Sequence, residues 1–139
     1  MKKKVLILCT GNSCRSQMAE GVLRHYGGDK FEVHSAGTIP SIVNQIAILV
    51  MKEIGIDISG HRSKHVREFE GKHFDYVITV CDYADKTCPS FLNGRKKIHW
   101  AFQDPPHHIC QITEDVIQEF RKVRDEIHER FKTAAEHEL

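Results

Sequence analysis

The chain carries no excess of charge. Twenty lysines and arginines face 19 aspartates and glutamates, a net of +1 over 139 residues. That balance excludes the strongly basic surface that nucleic-acid and membrane-surface binders need. Long apolar runs are missing too. The basic start, Lys2 to Lys4, precedes only Val5 to Leu8, too short for a signal peptide and far too short to span a bilayer. A cytoplasmic protein is expected. No repeat, low-complexity tract or linker divides the chain, so one domain over residues 1–139 is expected. A chain of this length buries roughly two-thirds of the surface its unfolded form exposes and needs no covalent staple. Zinc-type spacing is also absent. The ten histidines include a cluster, His107 and His108 with Cys110, but no fourth ligand accompanies it. We expect a solvated loop there, surface positions for His61, His65 and His73, and no bound metal. Cysteines number only five. In a reducing compartment such thiols are expected to be catalytic, redox-active or buried, not structural disulfides.

What is present is an alternation of periods. Val5 to Leu8, Phe31 to Ser35, Tyr76 to Val80 and Lys97 to Trp100 read as short buried strands. Ser16 to Tyr26, Val43 to Ile54 and Thr113 to Ala135 read as helices, the last with Val116, Phe120, Val123, Ile127 and Phe131 at helical spacing. Thr113 suits its N-terminus. Ser63 to Glu68 predicts a short helix, Cys81 to Cys88 a short helix or loop, and Ala36-Gly37 a turn. Strand-helix alternation argues for an α/β fold around a parallel sheet. Sites in such sheets lie beyond the carboxyl ends of the strands. Cys9, Cys81 and Asp104 follow three of those ends, so they are predicted to share one rim.

The loop after the first strand carries the sharpest signal. Cys9, Thr10, Gly11, Asn12, Ser13, Cys14 and Arg15 form C-x5-R between a strand and a helix. A helix start leaves backbone N–H groups unpaired. Gly11 and Asn12 can adopt positive φ and curl the loop so that several amides converge. Such a nest takes a tetrahedral oxyanion, and Arg15 clamps two of its oxygens. The same field is expected to lower the pKa of Cys9 and make it a nucleophilic thiolate, with Ser16 as a further donor. Cys14 is expected to pack inward or lie beside the pocket. The alternative is a buried thiol and a surface arginine. Asp104-Pro105 suits a general acid, since attack on an oxyanion needs a proton for the departing oxygen; the alternative is a turn aspartate.

Cys81 and Cys88 are seven positions apart. A helix between them separates their Cα atoms by ~10 Å of rise, whereas a disulfide needs about 4.4–6.8 Å. Bonding therefore requires the segment to unwind. On spacing alone, two independent cysteines are the favoured reading.

The string "CTGNSCRSQMAEG" resembles the low-molecular-weight tyrosine phosphatase superfamily, and within it the thioredoxin-coupled arsenate reductases. The resemblance extends over "SAG" (35–37), "IDIS" (56–59), "VITVCDYADKTCP", "HWAFQDPP" and "FRKVRDEI". It implies a four-stranded parallel sheet flanked by helices. It implies that Thr10, Gly11, Asn12, Ser13, Cys14, Arg15 and Ser16 hold the substrate, that Cys9 attacks arsenic, and that Asp104 is the acid. Cys81 would then attack the adduct, releasing arsenite and leaving a Cys9–Cys81 disulfide, and Cys88 would take over as Cys81–Cys88. The implied partners are arsenate and thioredoxin, the latter fed by NADPH through thioredoxin reductase, with no bound cofactor, no nucleic acid, no membrane, and a monomer. Some members bind potassium at positions matching Asn12, Glu20 and Ser35, but the remaining acidic ligand falls at Lys64, so no potassium requirement is expected. The rival readings are a phosphotyrosine protein phosphatase using Cys9 and Asp104 alone, and a thiol redox sensor on the same fold.

Overall fold

A computed structural model describes residues 2–89, 94–106 and 111–139. Its strands are β1 (Lys3–Cys9), β2 (Phe31–Gly37), β3 (Phe74–Thr79) and β4 (Gly94–His99), and its helices α1 (Arg15–Gly27), α2 (Gln45–Glu53), α3 (Asp82–Lys86) and α4 (Glu114–Thr133). A single 3-10 turn spans Val66–Phe69, and α4 ends in a π turn, Ala134–Glu138. The sheet order is β2-β1-β3-β4 and every pairing is parallel. This is the expected four-stranded α/β fold.

The apolar pattern explains the layering. Val5, Leu6, Ile7 and Leu8 are all fully buried, as an inner strand of a covered parallel sheet requires. Phe120, Val123, Ile127 and Phe131 recur on one side of α4 and bury there. That helix packs on α1 and α2. Its basic residues reach across to α2: Arg121 and Arg124 both pair with Glu53, at 2.7 Å each. Caps match local chemistry. Asn44 accepts from the amides of Ile46 and Ala47 at the start of α2, and Thr113 from that of Val116 at the start of α4. Gly55 follows α2 at φ 79°, a left-handed position that suits glycine.

Register sets up the rim. Cys9 pairs with Gly37, Leu8 with Thr79, and Thr79 with His99, so the strands end level. One expectation fails here. Ala36-Gly37 is not a turn but the end of β2, and it continues the ladder beside Cys9. The glycine serves close approach: a Cβ at Gly37 would press on the Thr10 carbonyl and lie 2.9 Å from the Asn12 nitrogen. The helix expected over Ser63 to Glu68 is only the 3-10 turn, because His65 bridges to Gly37 and caps the turn by accepting from the Arg67 amide.

Candidate active site

The loop from Cys9 to Arg15 curls because its carbonyls are claimed from outside. Thr10 O accepts from Ile39 N at 2.9 Å, Gly11 O from Ser41 N at 3.1 Å, and Ser13 O from Asn44 N at 3.0 Å. Gly11 O also accepts from Ser63 Oγ, and Asn12 O from Gln17 Nε2. In a trans peptide, the C=O of one residue points opposite to the N–H of the next. The amides of Gly11, Asn12, Ser13 and Cys14 therefore face away from those partners, toward the concave side. Asn12 supplies the left-handed turn, at φ 48°; Gly11 does not need one.

The side chains of Asn12 and Ser16 are fully buried and brace the loop from behind. Asn12 Nδ2 donates to Ser16 Oγ (2.8 Å) and Ser35 Oγ (3.0 Å), and its Oδ1 accepts from Lys64 N (2.8 Å). Ser16 Oγ is thus an acceptor for Asn12, a different use from the donor to Cys9 expected of it.

A cavity of about 800 Å³ opens at the rim, lined by Cys9, Thr10, Gly11, Ser13, Cys14 and Arg15 and, across from them, Cys81 and Asp104. The three strand-end groups are brought together as expected. Arg15 Nη1 donates to Phe102 O at 3.2 Å and Nη2 lies 3.5 Å from Asp104 Oδ1. Its Nε is buried without a hydrogen-bond partner. A buried guanidinium donor with no acceptor costs stability unless a ligand satisfies it, and an oxyanion is the matching acceptor. Asp104 is half exposed and next to that guanidinium.

The two rim cysteines form one unit. Cys9 and Cys81 line the same cavity, and each shifts the proton affinity of the other. Cys81 Sγ also lies 3.3 Å from Thr10 Oγ1 and accepts from Ala84 N at 3.4 Å as the N-cap of α3. The neighbouring Cys9, first, then the Thr10 and Ala84 donors and Arg15, hold the Cys81 thiol down at about 5 against the desolvation that opposes them. Cys9 is pushed up, first by Cys81 and then by burial, with Arg15 pulling the other way. This corrects the expectation of a lowered Cys9. Arg15 does pull Cys9 down, but the neighbouring Cys81 and burial outweigh that pull. Burial pushes Cys14 up to about 12, so it stays a neutral thiol beside the cavity.

Cys88 lies elsewhere. It is half-buried in a separate cavity of about 100 Å³ with Thr79, Asp85, Lys97 and His99, and burial raises its pKa. Helix α3 stands between it and Cys81.

Position 64 decides the potassium question. Glu20 Oε1 accepts from Ser35 Oγ at 2.5 Å and lies 3.9 Å from Lys64 Nζ, while Oε2 pairs with Arg24 at 2.9 Å. The acidic group is already neutralised by two cations, and the Asn12 carbonyl is taken by a backbone amide. These residues do not fit potassium. His61, expected at the surface, is only 11% exposed; it bonds Gln17 Oε1 through Nδ1 (3.0 Å) and faces Glu20 through Nε2 (3.6 Å). Among the described residues no group of three or more His, Cys, Asp or Glu could hold a metal ion, and no helix is long and apolar enough to cross a membrane. His107, His108 and Cys110 lie outside the described residues.

Sequence reasoning passed over His99 and Thr79. Both end strands at the rim, so the rule that found Cys9 and Cys81 would have found them; neither has a side chain that announces chemistry.

This geometry has counterparts. A family model described as "Low molecular weight phosphotyrosine protein phosphatase" matches residues 4–138. The chain is 45% identical over 135 residues to an arsenate reductase of Halalkalibacterium halodurans, covering 97% of this chain and 96% of that one. It is equally identical to arsenate reductase 2 of Staphylococcus epidermidis, covering 95% and 98%. Among solved structures it superposes on an arsenate reductase in the phosphate-binding state with TM-score 0.83 and 34% identity over 99% of both chains. It also superposes on a low-molecular-weight protein tyrosine phosphatase from T. tengcongensis with TM-score 0.80 and 27% identity, covering 97% of this chain and 99% of that one. A match that runs nearly end to end leaves one conclusion: the chain belongs to the low-molecular-weight phosphotyrosine protein phosphatase family.

Proposed function

We propose that this enzyme reduces arsenate to arsenite through a relay of Cys9, Cys81 and Cys88, with thioredoxin as the electron donor. The single observation that carries the reading is the placement of Cys9 and Cys81 in one cavity at the mouth of an oxyanion nest. A phosphatase needs only the first of these thiols. The arsenate reductases at 45% identity support the choice of substrate.

The nest and Arg15 hold the arsenate oxygens. Cys9 sulfur bonds to arsenic as an As–O bond breaks. The Cys9 proton passes to the neighbouring Cys81 thiolate, and Asp104 protonates the departing oxygen, which leaves as water. Cys81, deprotonated again by solvent, attacks Cys9 sulfur. An S–S bond forms, the S–As electron pair stays on arsenic, and arsenic(V) departs as arsenite(III). Cys88 thiolate then attacks Cys81 and releases Cys9 as a thiolate. Thioredoxin's dithiol returns two electrons to the Cys81–Cys88 disulfide and is itself oxidised, to be restored by NADPH through thioredoxin reductase. The reading takes the protein as a cytoplasmic monomer.

The test is arsenate-dependent NADPH oxidation with thioredoxin and thioredoxin reductase, wild type against Cys88→Ser. Sustained turnover that the substitution abolishes is the expected result. Equal turnover by both proteins would remove Cys88 from the relay. A second reading, phosphate-ester hydrolysis by the same nest, is favoured by the likeness to the T. tengcongensis phosphatase. It predicts rapid aryl-phosphate hydrolysis with no arsenate-dependent oxidation.

A further inference from the structure

We infer that His99 is a positioning residue, a clasp that fastens α3 to the ends of β3 and β4 and sets how readily that helix unwinds. The inference rests on the relay proposed above, since only the passage from Cys81 to Cys88 requires α3 to open.

Helix α3 has five residues, far below the length at which a helix persists alone in water. Its persistence therefore depends on ties to its surroundings. Cys81 caps one end. The remaining tie to the sheet is made by the level strand ends. His99 Nε2 lies 2.9 Å from Asp82 Oδ1, and Nδ1 lies 2.7 Å from Thr79 Oγ1 and 3.9 Å from Asp85 Oδ1. Thr79 Oγ1 in turn donates to Asp85 Oδ1 at 3.3 Å. Asp82 and Asp85 are the first and fourth residues of α3, so one imidazole and one hydroxyl hold both of its acidic side chains.

Counting protons shows what state this arrangement wants. The Thr79 hydroxyl has one proton. If Asp85 takes it, Nδ1 must donate to Thr79. Nε2 faces a carboxylate and donates as well. The ring with both nitrogens protonated satisfies Asp82, Thr79 and Asp85 together, as a cation between two carboxylates, and leaves only the longer 3.5 Å contact from Thr79 Oγ1 to Ile98 O unmade. A neutral ring takes the Thr79 proton for itself, and Asp85 loses its hydroxyl donor. The charge state of His99 therefore sets the number of ties on α3. The charged and titratable groups facing it are Asp82 and Asp85 from α3, Lys97 from β4, and Cys88, which shares the small cavity with it. Loosening the clasp thus frees the helix beside the thiol that must move.

The experiment follows amide hydrogen exchange in the reduced, full-length protein, together with diamide-driven formation of the Cys81–Cys88 disulfide in a Cys9→Ser background. There the two thiols give two electrons and two protons to diamide. His99→Ala is expected to speed exchange of the α3 amides, such as Thr87 N, by about fivefold, the effect of a charge-assisted hydrogen bond at a half-exposed site. The same variant should speed disulfide formation by a similar factor, with exchange in β1 and β3 unchanged. His99→Gln should keep part of the tie and bring both rates back toward those of the wild type. Asp82→Asn, at a side chain 77% exposed, gives the same loosening without touching the strand if His99→Ala folds poorly. Unchanged α3 exchange in both Asp82→Asn and His99→Ala, or exchange that quickens throughout the sheet as much as in α3, overturns the clasp. A responsive α3 with no Cys81–Cys88 disulfide in any variant instead overturns the relay, and with it the role assigned to His99.

Discussion

The location of the thiolate is the prediction on which the chemistry turns. An ordinary cysteine with a pKa of 9.0 is about 1% ionised at about pH 7, whereas one at about 5 is about 99% ionised. The reduced protein should therefore show one thiolate by ultraviolet absorbance across the neutral range, and the Cys9 thiolate, identified by its loss in Cys9→Ala, should appear only in strong alkali. Cys81→Ala should abolish the first. Cys9→Ala removes the leading cause of the depression and should raise the surviving Cys81 pKa by at least 1 unit, ~1.4 kcal/mol of lost preference for the charged form. It should not return Cys81 to 9.0, because Thr10, Ala84 and Arg15 remain. If the neutral-pH thiolate survives Cys81→Ala and vanishes in Cys9→Ala, the loop field outweighs the cap and the assignment is refuted.

The same pair makes a signed prediction for stability. Cys81 is depressed in the folded state, so its contribution is complete above 9.0 and is lost as pH falls through about 5. Cys9 is raised, so its contribution is complete below 9.0 and is lost as pH climbs further. Relative to a Cys9→Ala/Cys81→Ala variant, denaturant stability under reducing conditions should rise from about pH 5 to about pH 9 and then fall. A flat difference across that window would mean that the two thiols do not share a proton in the fold.

Three further outcomes follow from the geometry. Arg15→Lys forfeits the fork and the hold on Phe102, and should weaken binding of inorganic phosphate, an arsenate mimic, by about tenfold or more in calorimetry; binding within about twofold would show that the amides suffice. Gly37→Ala drives a methyl group against the Thr10 carbonyl and should cost about 1–3 kcal/mol in urea denaturation, with oxyanion affinity lost as well; an unchanged midpoint would mean the loop yields freely. At fixed ionic strength, exchanging sodium for potassium should leave turnover unchanged, because Lys64 and Arg24 already neutralise Glu20; a large acceleration would place the ion there after all.

How much of this was legible in the sequence depends on how local each cause is. Val5 to Leu8 must bury, and the C-x5-R loop must curl between a strand and a helix; both follow from neighbours in the chain, and both are found. Ala36-Gly37 misleads because glycine reads as a turn locally, while its real reason, the backbone of residues 10 to 12 crossing over it, comes from a segment 25 positions away. His61 misleads in the same way: a polar residue in a polar stretch, buried by Gln17 and Glu20 of another helix. The thiolate is the clearest case. From the loop alone, Arg15 and the converging amides argue for an acidic Cys9. The decision passes to Cys81 because parallel pairing sets β1 beside β3 and brings a helix-capping sulfur against the nucleophile. A strand-end rule predicts that these two residues meet. Which of them holds the charge depends on the partners each meets there, and Cys81 meets two within hydrogen-bond reach, the Thr10 hydroxyl and the Ala84 amide. In the proposed relay the resting proton would sit on Cys9, and Cys81, the thiol that would attack second, would be the group that first receives it.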